Sequence, residues 1–244
     1  MNKRLVSIAL VSLGVSAACA VLVALTSATD WVDGDYRSWA GTTQSCAVMP
    51  SAKTAGASEP RIVDLEWAGS DAVKIKIPAR VHYQPGPKPQ ASVSGDAELV
   101  SHVRLRDGAL EWDTVDDCFP AGDLVVRLTG PAVTAWTLNG SAELDLSDIK
   151  QDVLRIAMHG SGKVTASGEA HEVSLDAAGS GRADLGRLVT QQASAHLSGS
   201  AEVDLAPRED ADISISGSAI VRLHGAAARI HSHVSGSGQI KQLP

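Results

Sequence analysis

Serine stands directly after glycine at six evenly spaced points: Gly140-Ser141, Gly160-Ser161, Gly179-Ser180, Gly199-Ser200, Gly217-Ser218 and Gly236-Ser237. A serine nucleophile needs a strained elbow such as Gly-x-Ser-x-Gly to lift its hydroxyl toward a base, and no such spacing surrounds these residues. Six equivalent serines fit a recurring turn, in which glycine reaches positive φ without steric cost and serine bonds the reversing backbone. Gly160-Ser161-Gly162-Lys163 lacks the spacing of a phosphate loop, and Asn139-Gly140-Ser141 reads as one more repeat turn. The carboxylates follow the same rhythm. Five residues after each glycine stand Asp145, Thr165, Asp184, Asp204, Arg222 and Lys241, and three after stand Glu143, Lys163, Arg182 and Glu202. If successive repeats stack, Asp184 and Asp204 become neighbours. Such a pair can share a proton and serve glycoside hydrolysis or elimination. The mixed signs in both columns point instead to ladders of ion pairs on a solvated face. Of the eight histidines, His159, His171, His196, His224, His231 and His233 lie among the repeats. His231 and His233 point to one side of a strand, as two metal ligands would. The register sets no third ligand beside them: His196 shares the His233 column two coils away, with Ser214 between. We expect no catalytic, cofactor or metal-binding residues.

Only a repeating element can hold these residues in columns. The Gly-Ser-small triplets recur at steps of 20, 19, 20, 18 and 19 residues. Around each triplet, apolar residues alternate with period two, as in strands with one buried face. Leu144, Val164, Ala183, Val203, Val221 and Ile240 follow each glycine by four, and Leu146, Ala166, Leu185, Leu205 and Leu223 by six. Leu138, Met158, Ala177, Leu197, Ile215 and Val234 precede it by two, and Trp136, Ile156, Leu175, Ala195 and Ile213 by four. One such unit cannot bury its inner face alone, but a stack of units buries the columns continuously. At ~3.3 Å per residue one unit closes a circuit of roughly 60 Å. The expected fold is all-β: a parallel β-helix, or β-solenoid, with coils of about 19–20 residues, right-handed by the general preference of parallel crossovers.

Composition supports a thin core. The chain has one Phe, two Tyr and five Trp, so small and branched side chains carry the burial. Its net charge of -7 argues against nucleic acid, whose binding requires neutralised phosphates. Lys3 and Arg4 precede an uncharged apolar run, Leu5 to Leu25. Basic flank plus apolar run marks export, and three readings stay open. A signal peptide could be cleaved after Ala28, or an uncleaved segment could anchor the chain in the membrane. Ser16-Ala17-Ala18-Cys19 also faintly resembles a lipoprotein box. All three place the folded part outside the cytoplasm. There, Cys46 and Cys118 are expected to form one disulfide. The domain reading is residues 1–28 as export signal or anchor, 29–60 as polar linker and 61–244 as solenoid. Within the solenoid, 61–129 form irregular first coils and 130–244 the regular ones. The final coil exposes Val234 and Ile240 and is weakly blunted by Lys241, Gln242 and Pro244, an arrangement that invites weak end-to-end association.

A resemblance emerges from motif order. Gly69-Ser70-Asp71-Ala72-Val73-Lys74-Ile75 is followed by Val93-Ser94-Gly95-Asp96, then by Gly108-Ala109-Leu110-Glu111-Trp112, then by the Gly-Ser-Gly coils. From about Arg61 to Leu243 this resembles the GIN-type head domain of autotransporter adhesins. Ala142, Ala201 and Ala219 depart from the family's final glycine. The resemblance implies a right-handed β-helix in a bacterial envelope, with adhesion as the family's label rather than a demonstrated activity. The expected function is a non-catalytic structural or binding module, in the periplasm or at the cell surface, meeting an envelope carbohydrate or protein. The alternatives are a carbohydrate-active β-helix enzyme and a periplasmic partner of an envelope complex, tethered through Leu5–Leu25.

Overall fold

The computed structural model describes residues 60–113, 122–225, 227 and 229–243. Its strands are β1 (Arg61–Leu65), β2 (Ala72–Ile75), β3 (Arg80–Pro85), β4 (Gln90–Gly95), β5 (Val103–Arg106), β6 (Ala109–Trp112), β7 (Val125–Gly130) and β8 (Ala135–Gly140). The regular coils follow as β9 (Glu143–Gly160), β10 (Lys163–Gly179), β11 (Arg182–Gly199), β12 (Glu202–Gly217), β13 (Ile220–His224), β14 (Arg229–Gly236) and β15 (Gln239–Leu243). Among the described residues one short helix, α1 (Ala97–His102), interrupts them. Together they form a β-solenoid of about five turns.

Each long strand bends to supply both faces of one coil. β9, β10, β11 and β12 pair in parallel along their lengths, and β12 hands its two halves to β13 and β14. The glycines Gly140, Gly160, Gly179, Gly199, Gly217 and Gly236 fall in one stacked column. Two constraints require glycine there. Gly160 adopts φ +121° and Gly179 φ +124°, a region costly for other residues. A Cβ on Gly160 would also lie 2.6 Å from the Gly140 carbonyl oxygen. The serine's part differs from the expected one. Its backbone N–H, not its hydroxyl, makes the turn's bond: Ser161 N donates to Gly140 O (2.9 Å), Ser180 N to Gly160 O (3.0 Å) and Ser200 N to Gly179 O (2.8 Å). The serine side chains at the corner are exposed. Because the backbone already reaches one coil down, the hydroxyl has no vacant partner to serve.

The third residue of the triplet points inward. Where it is glycine, a larger neighbour takes the room: a Cβ on Gly181 would meet Met158 Cε at 2.8 Å, and one on Gly238 would meet Ile215 Cγ2 at 2.6 Å. Where it is Ala142, Ala201 or Ala219, the methyl itself is buried.

The inner columns match the sequence reading. Leu144, Val164, Ala183, Val203 and Val221 are all buried, as are Trp136, Ile156, Leu175, Ala195 and Ile213. Each fully buried large side chain contributes roughly 1.5–3 kcal/mol. Toward the last described half-coil this burial fades: Ile230 is 39 % and Val234 41 % exposed.

Upstream, the strands are not stacked in chain order. On the first face the order is β1, β4, β7, β3, β9, so β3 lies between two strands that follow it in sequence. On the second face β2 likewise lies between β6 and β8. The outermost pairings, β1 with β4, β4 with β7 and β5 with β6, are antiparallel. α1 starts at Asp96, whose carboxylate accepts from Glu98 N at 2.9 Å, and buries Leu99 and Val100. Among the described residues, this end also holds the large aromatics. Tyr83 and Trp136 pack with ring centroids 5.1 Å apart, and Tyr83 Oη donates to Pro131 O at 2.7 Å.

Candidate binding surface

Side chains of the first face that point away from the core form two charged columns. One runs Arg80, Glu143, Lys163, Arg182, Glu202, and the other His82, Asp145, Thr165, Asp184, Asp204, Arg222, Lys241. Parallel stacking sets neighbours in a column about 4.8 Å apart, within reach of ion pairing, and the sequence places opposite charges at most steps of the first column and at two steps of the second. Arg80 Nε meets Glu143 at 3.0 Å, His82 Nδ1 meets Asp145 at 3.3 Å and Arg182 meets Glu202 at 2.7 Å. The Glu143 carboxylate raises the Arg80 guanidinium further above its ordinary pKa, chiefly through their hydrogen bond.

The two stacked carboxylates are not an isolated pair. Asp204 is held by His224 Nε2 at 3.0 Å and by Arg222 at 3.4 Å. Asp184 turns an oxygen toward its own Gly186 N at 3.4 Å. The two carboxylates therefore have unequal partners: Asp204 is ion-paired with Arg222, whereas Asp184 has only a backbone N–H.

Thr165 is the short residue between Asp145 and Asp184, and over it the surface sinks into a cleft of about 350 Å3. Lys163 and Arg187 line it. Among the described residues, neither cation has a side-chain hydrogen bond or ion pair, while Arg80 and His82 on the same rim are both committed. Sequence reading placed Lys163 in its column but missed Arg187. That residue sits where β10 and β11 shift register, so counting from glycine does not locate it.

The second face carries a shallow depression of about 310 Å3 lined by His159, Asp176 and His196. His196 Nδ1 lies 3.6 Å from Asp176, one coil earlier. His196, Ser214 and His233 share a column in that order, as the spacing predicted. Among the described residues, no three His, Cys, Asp or Glu side chains converge to hold a metal ion. Also among the described residues, no helix is long and apolar enough to cross a membrane. Cys46, Cys118, the run Leu5–Leu25 and the linker up to residue 59 lie outside the described residues.

The family model described as "Putative auto-transporter adhesin, head GIN domain" matches residues 70–242. A solved structure described as a putative adhesin from Bacteroides fragilis superposes with a TM-score of 0.57 at 16 % identity, over 76 % of this chain and 98 % of that one. A protein from Parabacteroides distasonis, described as a putative lipid binding protein, superposes with a TM-score of 0.50, also at 16 % identity, over 78 % of this chain and 98 % of that one. At such identity the likeness is one of fold. No curated protein matches this chain.

Proposed function

The chain belongs to the family of auto-transporter adhesin head GIN domains, and we propose that it is an exported, non-catalytic binding module of a bacterial envelope. One observation carries this reading. The first face commits most of its charges to coil-to-coil pairs, yet leaves Lys163 and Arg187 uncommitted beside an open cleft. Paired charges make a rigid, ribbed scaffold, and the free cations are what a partner can engage. The stacked carboxylates do not support the hydrolytic alternative, because Asp204 is engaged by Arg222 and His224 while Asp184 is not.

Export follows from the basic flank and apolar run at Lys3–Leu25. We place the domain in the periplasm or on the surface, with Leu5–Leu25 as signal or anchor and Cys46 joined to Cys118. Thiol labelling of both cysteines without reductant would refute the bridge, and carbonate washing separates anchored from released protein. Binding is tested with the full chain in mild detergent on isolated envelopes. Lys163→Glu with Arg187→Glu should weaken it about tenfold or more, since each reversal places a repulsive charge at the cleft. Unchanged binding by a folded double variant would remove the first face from the interface.

A further inference from the structure

Where the first face turns into the second, away from the Gly-Ser corner, a second and larger cleft of about 560 Å3 runs across several coils. Its rim carries Lys150, Asp152, Glu169, His171, Gln191 and Arg208. Lys150 and Glu169 are register neighbours of opposite charge, yet they are not paired. Among the described residues, none of the six has a side-chain hydrogen bond or ion pair, in contrast to the ladders of the first face. Beneath them runs an inward strip of Gln151, Ala170, Thr190 and Pro207. Thr190 is 2 % exposed, and its hydroxyl lies 2.9 Å from Gln192 O. Gln151 Nε2 spends its hydrogens on Val133 O (3.2 Å) and Val153 O (2.7 Å). Its buried Oε1 has no protein partner, in the wall of the same cleft.

Building on the binding-module reading above, we propose that this trough holds an uncharged, polyhydroxylated chain, a neutral oligosaccharide lying along the stack. Three features select that class. Two cations, Lys150 and Arg208, balance two anions, Asp152 and Glu169, so the lining attracts neither a polyanion nor a polycation. The lining's apolar side chains are only Val189 and Ala170, which gives a lipid tail little to bury against. The two central strands beneath, β10 and β11, are paired on both sides within the stack, so the floor of the trough offers no free edge for strand addition by a peptide. A sugar hydroxyl both donates and accepts. It can therefore meet acceptors at Asp152 and Glu169 and donors at Lys150, Gln191 and Arg208, which lie on successive coils stacked about 4.8 Å apart.

The test is calorimetric titration of the detergent-solubilised full chain with cello-, xylo- and chito-oligosaccharides, and with oligogalacturonate as the charged counterpart. At least one uncharged oligosaccharide should bind with little dependence on salt. Asp152→Ala and Glu169→Ala should each weaken it about tenfold, the scale of one lost charge-assisted hydrogen bond. Because neither carboxylate pairs within the protein, the melting temperature should not move. The trough is ruled out if no uncharged oligosaccharide binds, if either variant binds like the parent, or if oligogalacturonate alone binds. Envelope binding that survives both trough variants but falls with Lys163→Glu and Arg187→Glu would sink the trough and keep the module. Loss of envelope binding in none of these folded variants would remove both.

Discussion

At the corner of each coil, glycine and serine look equally regular in sequence but carry unequal weight. Gly179 holds φ +124°, and a methyl there would fall against the Gly160 carbonyl that Ser180 N must reach. Gly179→Ala should therefore destabilise the domain by about 2 kcal/mol or more, from backbone strain plus a weakened ladder. Ser180→Ala keeps the backbone N–H and removes only an exposed hydroxyl, so its cost should stay below about 0.5 kcal/mol. Chemical unfolding of the two variants decides, and equal losses would mean that the hydroxyl matters after all. The same contrast holds one strand later. Leu185 is 1 % exposed, and Leu185→Asp places an unpaired charge in the stack, which should prevent folding. Asp184→Ser, on the outward side, removes only a long 3.4 Å contact to Gly186 N and should cost less than about 1 kcal/mol. Similar melting points for the two would overturn the inward/outward register.

At the scale of elements, carboxylates held low by a neighbouring cation or histidine lie toward both ends of the stack. Glu111 on β6 is held below the ordinary carboxylate pKa by its hydrogen bond to Lys76, and Asp113 beside it by His102 and then Arg104. At the other end Arg229 on β14 holds Asp210 low, with a 2.7 Å bond from its guanidinium. A carboxylate whose folded pKa is depressed adds stability that is present above its unfolded value and lost as pH falls through the folded one. Below about pH 4 these contacts weaken. Amide exchange should then rise first in β6 and β14, while β10 and β11, held by stacked apolar columns, stay protected. Uniform exchange along the stack at acid pH would contradict this. The regular coils were readable because strand alternation and glycine spacing act locally: Leu175 and Ile213 declare their side whatever lies elsewhere. The interleaving of β3 between β7 and β9 is set by contacts distant in sequence, and no local pattern records it. Helix α1 spans too few residues to show a helical period, and Asp96 was its only cue. The trough escaped for a related reason. Register shifts between Leu185 and Val189 and between Thr165 and Ser167 mean that counting from glycine fails at that bend. Lys150, Glu169 and Arg208 therefore never fell into one visible column.

For the molecule as a whole, each coil is supported mainly by the coils on either side, and stability becomes a sum of units and interfaces. That arrangement predicts tolerance of a change that would ruin a globular core. Lys163 and Arg182 occupy equivalent positions in successive coils. Deleting Lys163–Gly181 joins Gly162 to Arg182 and removes one full circuit. Leu144 would then face Ala183, Ile156 would face Ala195 and Met158 would face Leu197, so every inner column stays inward and every glycine stays in its stack. The shortened protein should fold with the same β-sheet circular dichroism and unfold cooperatively, at a lower temperature because one apolar interface is gone. Deleting Lys163–His171 removes only the first-face half of the same circuit. The chain would then leave the Gly-Ser corner directly into second-face residues, with Val173 and Leu175 brought to the wrong side of the coil, and it should not fold. The two deletants separate the solenoid from any fold in which these strands belong to one shared core. In such a fold both deletions break long-range packing, and both proteins would lose their sheet signal together.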